Sequence, residues 1–240
     1  ARRRGIPISE ELGDQSLTET LLHFILQRLD QIECPVFLHR ELEDFPEEEL
    51  RILRAEGILR ETSRATEIPR PKQSPPGSDL IVRQTSKGMF GVADEDDYFD
   101  PIPLTDDDIR QYDISLPKLA AAIRRDNGIS GSGLENHDGL IPLGQKSVEG
   151  IGSLNVYLSI LNADQKDFVA RCHRLERSPR SQRIVMLTPR GVALSPEGRR
   201  VLDTSGIVVA AMDSTLDLGS FSIDWIGILG VVESLLAEDH

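Results

Sequence analysis

The most constraining feature of this sequence is the alternation of apolar runs and helical patterns in its C-terminal half. Apolar runs typical of buried strands cover residues 140–143, 153–160, 183–189 and 207–211. A glycine-containing turn joins the first two runs, and helical patterns separate the later ones. Strands that alternate with helices form an at least partly parallel sheet with right-handed crossovers. The sequence therefore predicts an α/β domain with a mixed sheet, which ends in an apolar helix over 223–237.

An amphipathic helix is predicted near the start of the chain, over residues 16–33. One face of this helix carries Leu21, Ile25, Leu29 and Ile32. Ser16 is placed to cap its N-terminus.

Two shorter helices follow the amphipathic one. The first is predicted over 36–42, and the second begins at Pro46 and ends at Gly57. Three glutamates stand in the first turn of the second helix, where the helix dipole favours acids. Two β-like runs, 58–62 and 65–68, then predict a small hairpin.

The stretch EEELRILRAEGIL at residues 47–59 leads from a helix through Gly57 into a strand. With the helices before it and the hairpin after it, this stretch resembles the winged helix-turn-helix family over about the first 70 residues. The resemblance implies that the helix is the recognition helix and that the hairpin is the wing. Side chains for DNA contact would then be Arg51, Arg54, Arg60 and Arg64.

A linker and a β-ribbon connect the two parts of the chain. The linker is indicated by the composition of residues 71–79, and a hairpin by 80–83 and 89–92, which flank Lys87 and Gly88. Small ribbons after a winged helix are often zinc ribbons, but this one has no knuckle cysteines, so we expect it to form without metal. Thr105 is placed to cap a short helix over 105–108.

The predicted fold class is α+β or α/β, with an N-terminal winged-helix module, a short β-ribbon and a C-terminal α/β domain. The predicted segments are a flexible basic arm (1–15), the winged-helix-like module (16–70), a linker with the hairpin and an acidic loop (71–103), and the α/β domain (104–240).

The composition excludes several classes of protein. Among 240 residues, 40 acids and 27 bases give a net charge of −13, which argues against a generally basic nucleic-acid coat. Cys34 and Cys172 form no CxxC pair, which argues against a disulfide scaffold and a cysteine-bound zinc and favours a reduced compartment. We see no signal peptide and no stretch that spans a membrane, so the predicted location is cytoplasmic. No cofactor is predicted.

Positive charge is concentrated in residues 164–200, where nine bases face four acids. Arg171, Arg174 and Arg177 recur at a spacing that places a basic stripe on one helix face, with Arg180 and Arg183 behind them. Such a stripe is either a solvated helix face or a docking site for a protein partner or a phosphate. We take these five arginines as the candidate partner-binding residues.

Motifs for nucleotide or metal chemistry are incomplete. The glycines of 128–133 follow a helix rather than a strand, and 144–147 is similar only to the end of a phosphate-binding loop. The α/β part resembles a restriction-endonuclease core with Asp138 ahead of its first strand. However, the second strand has no acid at 155–157, and Glu149 in the turn has no lysine partner. This resemblance implies an inactive core with no metal.

Two pairs of titratable neighbours are also candidates for chemistry. Cys172 falls on the inward face of its helix, and adjacent helical positions diverge, so Cys172 and His173 do not predict a catalytic dyad. His137 and Asp138 lie in a glycine-rich loop, where such residues more often form a turn than a catalytic base.

Six acids in the nine positions 41–49 would repel a phosphate backbone from the recognition helix. The sequence therefore favours a non-catalytic adaptor of a multicomponent bacterial-type system, with protein partners bound by the winged-helix module and the arginine stripe. Its last helix would bury apolar surface against itself or another chain, including a second copy. The alternatives are a DNA-binding regulator with an α/β sensor or dimerisation domain, and a metal-dependent nuclease or hydrolase that uses Asp138 and Glu149.

Overall fold

A computed structural model describes residues 20–71, 77–94, 99–131, 136–176, 183–216 and 220–238. The helices in these ranges are α1 (Leu21–Leu29), α2 (His39–Leu42), α3 (Glu47–Ala55), α4 (Leu116–Asn127), α5 (Gln165–Glu176), α6 (Pro196–Ser205), α7 (Met212–Thr215) and α8 (Trp225–Glu238). The strands are β1 (Val36–Leu38), β2 (Leu59–Glu61), β3 (Glu67–Ile68), β4 (Leu80–Thr85), β5 (Gly88–Val92), β6 (Ile102–Leu104), β7 (Gln111–Ile114), β8 (Leu140–Val148), β9 (Gly152–Ser159), β10 (Arg183–Thr188) and β11 (Ile207–Ala211).

The strands form three sheets. Sheet A is antiparallel with the order β1-β7-β2, and sheet B is antiparallel with the order β3-β4-β5-β6. Sheet C has the order β11-β10-β9-β8, in which β8 is antiparallel to β9 and the other neighbours are parallel. The predicted mixture of helix and sheet is therefore confirmed, and so is the mixed character of the C-terminal sheet.

The first helix is shorter than its sequence pattern indicates. Thr20 caps α1 by accepting a hydrogen bond from the backbone N–H of His23, whereas Ser16 lies outside the described residues. Leu21, Ile25 and Leu29 are buried as predicted. Ile32 is exposed because α1 ends at Leu29, so it does not continue the apolar face.

The helix predicted over 36–42 is replaced by a strand and a single helical turn. Val36 and Phe37 belong to β1, which pairs with β7, and α2 begins only at His39. Both residues have side chains typical of strands, and pairing with β7 provides the backbone partners that a strand requires.

The hairpin predicted over 58–68 does not form. Its first run, β2, pairs with β7, and its second run, β3, pairs with β4. The physical reason is that their apolar side chains enter different cores. Leu59 packs in the main core, whereas Ile68 packs with Leu80 beneath sheet B. The β4–β5 hairpin is confirmed, and it forms the centre of sheet B.

The predicted domain boundary at residue 104 does not separate two packed units. Strand β7, which lies beyond that boundary, is the central strand of sheet A. The short helix predicted over 105–108 is a hydrogen-bonded turn in which the Thr105 hydroxyl donates to the Asp108 carboxylate. Because the chain must enter β7 at Gln111, few residues remain for a helix there.

One hydrophobic core joins the N-terminal helices to sheet C. It contains Leu21, Ile25 and Leu29 of α1 together with Ile123 of α4 and Leu158 of β9. A second cluster, around Phe168 and Cys172, fills the space between the opposite face of sheet C and helices α5 and α6. Sheet C is thus covered on both faces, as expected for strands with continuous apolar runs.

Asn127, the last residue of α4, joins that helix to the segment before α8. Its amide nitrogen donates to the carbonyl oxygens of Ile123 (2.7 Å) and Phe221 (2.8 Å). Its side-chain oxygen accepts from the backbone N–H of Ile223 (2.8 Å) and from the indole N–H of Trp225 (2.9 Å). Asn127 is buried, and three of these four hydrogen bonds are buried as well, while the one from Trp225 is partly buried.

We predict that Asn127→Ala lowers the free energy of unfolding by about 3 kcal/mol, because it leaves several buried donors and acceptors without partners. Urea denaturation followed by Trp225 fluorescence measures the change. The half-exposed Asn155, substituted in the same way, is the control and should lose less than about 1 kcal/mol. Equal losses for the two variants would contradict the assigned role of Asn127.

Candidate functional site

Helix α5 places two of the predicted stripe arginines in different environments. Its inward face carries Phe168, Cys172 and Leu175, and Arg171 lies between them at helical spacing. Arg171 is only 2% exposed, whereas the side chain of Arg174 is 46% exposed. The expectation that Arg171 contributes to an exposed basic stripe is therefore wrong. Arg171 lies three residues after Phe168, and this helical spacing indicates burial on the same face. The positive charge of its side chain favoured the opposite expectation.

The buried guanidinium of Arg171 binds three oxygen atoms that come from different segments. Nη1 donates to the carbonyl oxygen of Asp138 (3.0 Å), and Nη2 donates to the carbonyl oxygen of Leu161 (3.0 Å) and to Oδ1 of Asn162 (2.8 Å). Burial is the main influence on the pKa of Arg171 and lowers it, while the nearby Asp167 raises it. The arginine guanidinium stays protonated in proteins, so Arg171 acts here as a permanent hydrogen-bond donor.

Asn162 connects this arginine to the N-terminal part of the chain. Its backbone and side-chain N–H groups both donate to Oδ1 of Asp30, at 3.2 and 3.0 Å. The hydroxyl of Ser159 donates to Oδ1 of Asn162 at 2.8 Å. The other carboxylate oxygen of Asp30 lies 3.5 Å from Nη2 of Arg190. Asp30, Ser159, Asn162 and Arg171 are all buried, and we call these four residues the polar cluster.

Of the three remaining stripe residues, the structure describes only Arg183, since Arg177 and Arg180 lie outside the described residues. Arg183 is the first residue of β10 rather than part of a helix, and it pairs in register with Leu154 of β9. Arg174 is the only stripe residue that the structure describes on the outer side of α5.

Arg174 lies beside a cavity of about 510 Å³, which we call the α5 cavity. Its lining residues are Asn136, His137, Asp138, Leu140, Pro142, Tyr157, Arg174 and Leu175. Nη1 of Arg174 donates to Oδ2 of Asp138 at 2.9 Å, and the Asp138 side chain is 82% exposed. The structure thus brings together Asp138 and His137, singled out as candidates for chemistry, and Arg174, singled out for partner binding.

The loop that carries Asp138 has a fixed backbone. Asp138 adopts a left-handed conformation (φ 52°), which is uncommon for a residue with a side chain. Its carbonyl oxygen accepts from Arg171, and the next N–H, of Gly139, donates to Oδ1 of Asn136 at 2.9 Å. His137 pairs with Leu140 through two backbone hydrogen bonds. The buried Arg171 therefore helps to position the exposed carboxylate at the cavity.

Asp138 and Glu149 do not share a metal site. Asp138 lies just before the nine-residue strand β8, and Glu149 comes directly after it. An extended strand rises about 3.3 Å per residue, so roughly 30 Å separate the two acids. Two ligands of one metal ion must lie within a few ångströms of each other, so the hydrolase alternative with this pair is wrong. Among the described residues, no group of histidine, cysteine, aspartate and glutamate side chains is suited to hold a metal ion.

Two glycines of the candidate phosphate-binding loops, Gly131 and Gly144, instead permit close packing of two backbones. Ser130 pairs with Gln145 in an isolated antiparallel bridge beside β8. A Cβ atom on Gly144 would lie 2.2 Å from the carbonyl oxygen of Ser130, and one on Gly131 would lie 2.6 Å from that of Leu143. Glycine at both positions is therefore explained by this contact.

Cys172 packs in the core. It is almost completely buried, and burial raises the pKa of its thiol to about 11. A thiol with that pKa is a poor nucleophile at neutral pH. Cys34 is exposed, and neither cysteine forms a disulfide.

The four arginines proposed to contact DNA all have acidic partners. Arg51 donates to Glu48 at 2.6 and 2.8 Å, and Arg60 makes two 3.0 Å hydrogen bonds with Asp113. Arg64 forms an ion pair with Asp106. Arg54 lies 3.8 Å from a carboxylate oxygen of Glu47, and its other terminal nitrogen donates to the hydroxyl of Tyr112. The surface that they occupy is close to neutral or acidic.

The comparisons with known proteins give no relatives for this chain: no family model, curated protein or solved structure matches it.

We predict that the two α5 arginines differ in their effect on stability. Arg171→Met should lower the free energy of unfolding by about 3 kcal/mol, because it removes three hydrogen bonds and leaves the carbonyl oxygens of Asp138 and Leu161 without the donor that they have here. Arg174→Met removes an exposed ion pair and should cost less than about 1 kcal/mol. Urea denaturation of both variants measures the difference. A similar small loss for both would contradict the structural role of Arg171.

Proposed function

We propose that this chain is a non-catalytic interaction subunit that binds a basic protein partner through an acidic surface on its N-terminal part. The surface consists of Glu43, Asp44, Glu47 and Glu48, and we call it the α2–α3 surface. We further propose that the N-terminal part is a winged-helix-like module within a multicomponent bacterial-type system. Because both cysteines are free, a reduced, cytoplasmic location remains part of the proposal.

The arrangement of sheet A supports the winged-helix resemblance. The helices α1, α2 and α3 are followed by β2, and β7 lies between β1 and β2 in the sheet. Sheet B is inserted between β2 and β7, at the position of a simple wing. In this proposal the winged-helix-like module also includes β7, the strand that completes sheet A.

The observation that carries the proposal is the distribution of charge on α3. The side chain of Glu47 is 80% exposed, and Glu43 and Glu48 are also exposed. The positive charges nearest to these acids, Arg51 and Arg54, are already paired with them. These two arginines offset Glu48 and Glu47, so the excess negative charge of the α2–α3 surface comes from the exposed Glu43 and Asp44, and it attracts a basic surface.

The DNA-binding alternative is less well supported by the same geometry. A phosphate could displace an acid from an exposed ion pair, because each such pair contributes only about 0–1 kcal/mol. The displaced carboxylate would stay beside the phosphate and repel it. The four candidate arginines, each beside an acid, therefore contribute little to the counterion release on which phosphate binding depends.

Helix α8 presents a second surface for protein contact. Ile226 is 84% exposed, and Val231 is exposed on the same helix, whereas Ile228 and Val232 pack in the main core. Apolar side chains of this size favour contact with another chain or a second copy. No helix in the described ranges is long and apolar enough to cross a membrane.

The test compares protein capture by matched variants of the complete chain. Glu43→Gln/Asp44→Asn/Glu47→Gln neutralises the α2–α3 surface. Glu67→Gln/Glu197→Gln/Asp203→Asn makes the same charge change at exposed positions elsewhere. We predict that the first variant loses at least one basic protein that the wild type and the control variant both retain from a cell lysate, measured by quantitative mass spectrometry.

A second measurement separates this proposal from DNA binding. We predict no anisotropy change when a labelled random duplex is titrated with the protein at about 50 mM or about 200 mM salt. Tight binding at the lower salt that collapses at the higher salt would support the regulator instead. Identical protein capture by the two triple variants would contradict the role of the α2–α3 surface.

A further inference from the structure

We propose that the α5 cavity binds a free amino acid with an apolar side chain. The ligand would place its carboxylate on Arg174, its ammonium group on Asp138 and its side chain against Leu140, Pro142 and Leu175. This site is separate from the α2–α3 surface and does not depend on the function proposed for that surface.

The size and lining of the cavity suit a small ligand. A volume of about 510 Å³ falls within the range of small-molecule sites, and these usually combine an apolar wall with a few polar groups. Leu140 and Pro142 come from the edge strand β8, Tyr157 from its neighbour β9, and Leu175 from α5. These four side chains provide the apolar wall.

The charged groups of the described lining are of opposite sign. Among the described residues, Arg174 is the only lysine or arginine of the lining and Asp138 is the only carboxylate. An anion that bound Arg174 would displace the Asp138 carboxylate and then be repelled by it. A cation that bound Asp138 would likewise be repelled by the displaced guanidinium of Arg174. A zwitterion avoids both, because each of its charges finds a partner of opposite sign.

The ion pair between Arg174 and Asp138 can open at little cost. Both side chains are substantially exposed, so water and salt already weaken their attraction. The backbone at Asp138 is held by Arg171, as described above, so opening the pair moves side chains and not the loop. The loop backbone at Asp138 therefore stays in place, while the side chains of Arg174 and Asp138 can exchange each other for the charged groups of a ligand.

Tyr157 and His137 supply additional hydrogen-bonding groups at the same cavity. Burial raises the pKa of Tyr157, so its phenol stays protonated and can donate to a ligand carboxylate. Its position on β9, opposite Pro142 of β8, places its ring beside the apolar wall.

Calorimetric titration of the complete chain with four probes tests the proposal. The probes are L-phenylalanine, L-leucine, 3-phenylpropionate, which lacks the ammonium group, and 2-phenylethylamine, which lacks the carboxylate. We expect saturable one-to-one binding of at least one of the two amino acids below about 10 mM. Each single-charge analogue should bind at least tenfold more weakly, because one charged group of the cavity loses its partner.

Two variants locate the binding, and two others control for net charge. Arg174→Gln and Asp138→Asn should each weaken amino-acid binding at least tenfold, whereas Arg199→Gln and Asp203→Asn on the exposed side of α6 should leave it unchanged. Circular dichroism confirms that each variant is folded. The proposal is overturned if neither amino acid shows saturable binding, if 3-phenylpropionate or 2-phenylethylamine binds as well as the amino acids, or if the cavity variants bind like the controls.

Discussion

The hydrogen bonds between Asp30 and Asn162 are the interaction on which the arrangement of the two halves depends. Asp30 ends α1, and Asn162 follows β9, so these bonds join the N-terminal helices to the C-terminal sheet. Backbone bonds from Leu161 to Leu29 and from Ala163 to Asp30 reinforce the junction. The buried Asp30 carboxylate is tolerated because the C-terminal half supplies its partners, Asn162 and Arg190, and the buried Arg171 guanidinium is tolerated because it has three oxygen acceptors.

The same junction determines where a ligand can bind. Open α/β sheets usually bind ligands beyond the carboxyl ends of their parallel strands, which here end at Ser159, Thr188 and Ala211. Helix α1 occupies this edge: a ring nitrogen of His23 hydrogen-bonds to the carbonyl oxygen of Asp213, and Asp30 binds the residues after β9. The α5 cavity lies at the β8 end of the same edge, because the start of β8 pairs with the end of β9 (Leu140 opposite Ser159), and Arg171 links the polar cluster to Asp138 there.

Local patterns in the sequence predicted the strands of sheet C and the β4–β5 hairpin, because periodicity and turn residues specify such elements directly. The role of β7 could not be predicted in this way. Its four residues pair with strands more than 50 positions earlier, and no local signal specifies such a pairing. The α5 cavity could not be predicted for the same reason. The sequence indicated Arg174 as a partner-binding residue and Asp138 as a candidate for catalysis, but only the packing of α5 against β8 and β9 brings the two together.

Native-state hydrogen exchange is the most direct test of the claim that the two halves form one cooperative unit. The measurement compares the free energy of opening for amides in α1, such as Ile25, with that for amides in β9, such as Leu158, as denaturant is increased. Because both residues pack in the main core, we predict equal opening free energies that fall together, and an equal decrease for both in Asp30→Ala. Opening of α1 at a clearly lower free energy, with β9 still protected, would contradict the account.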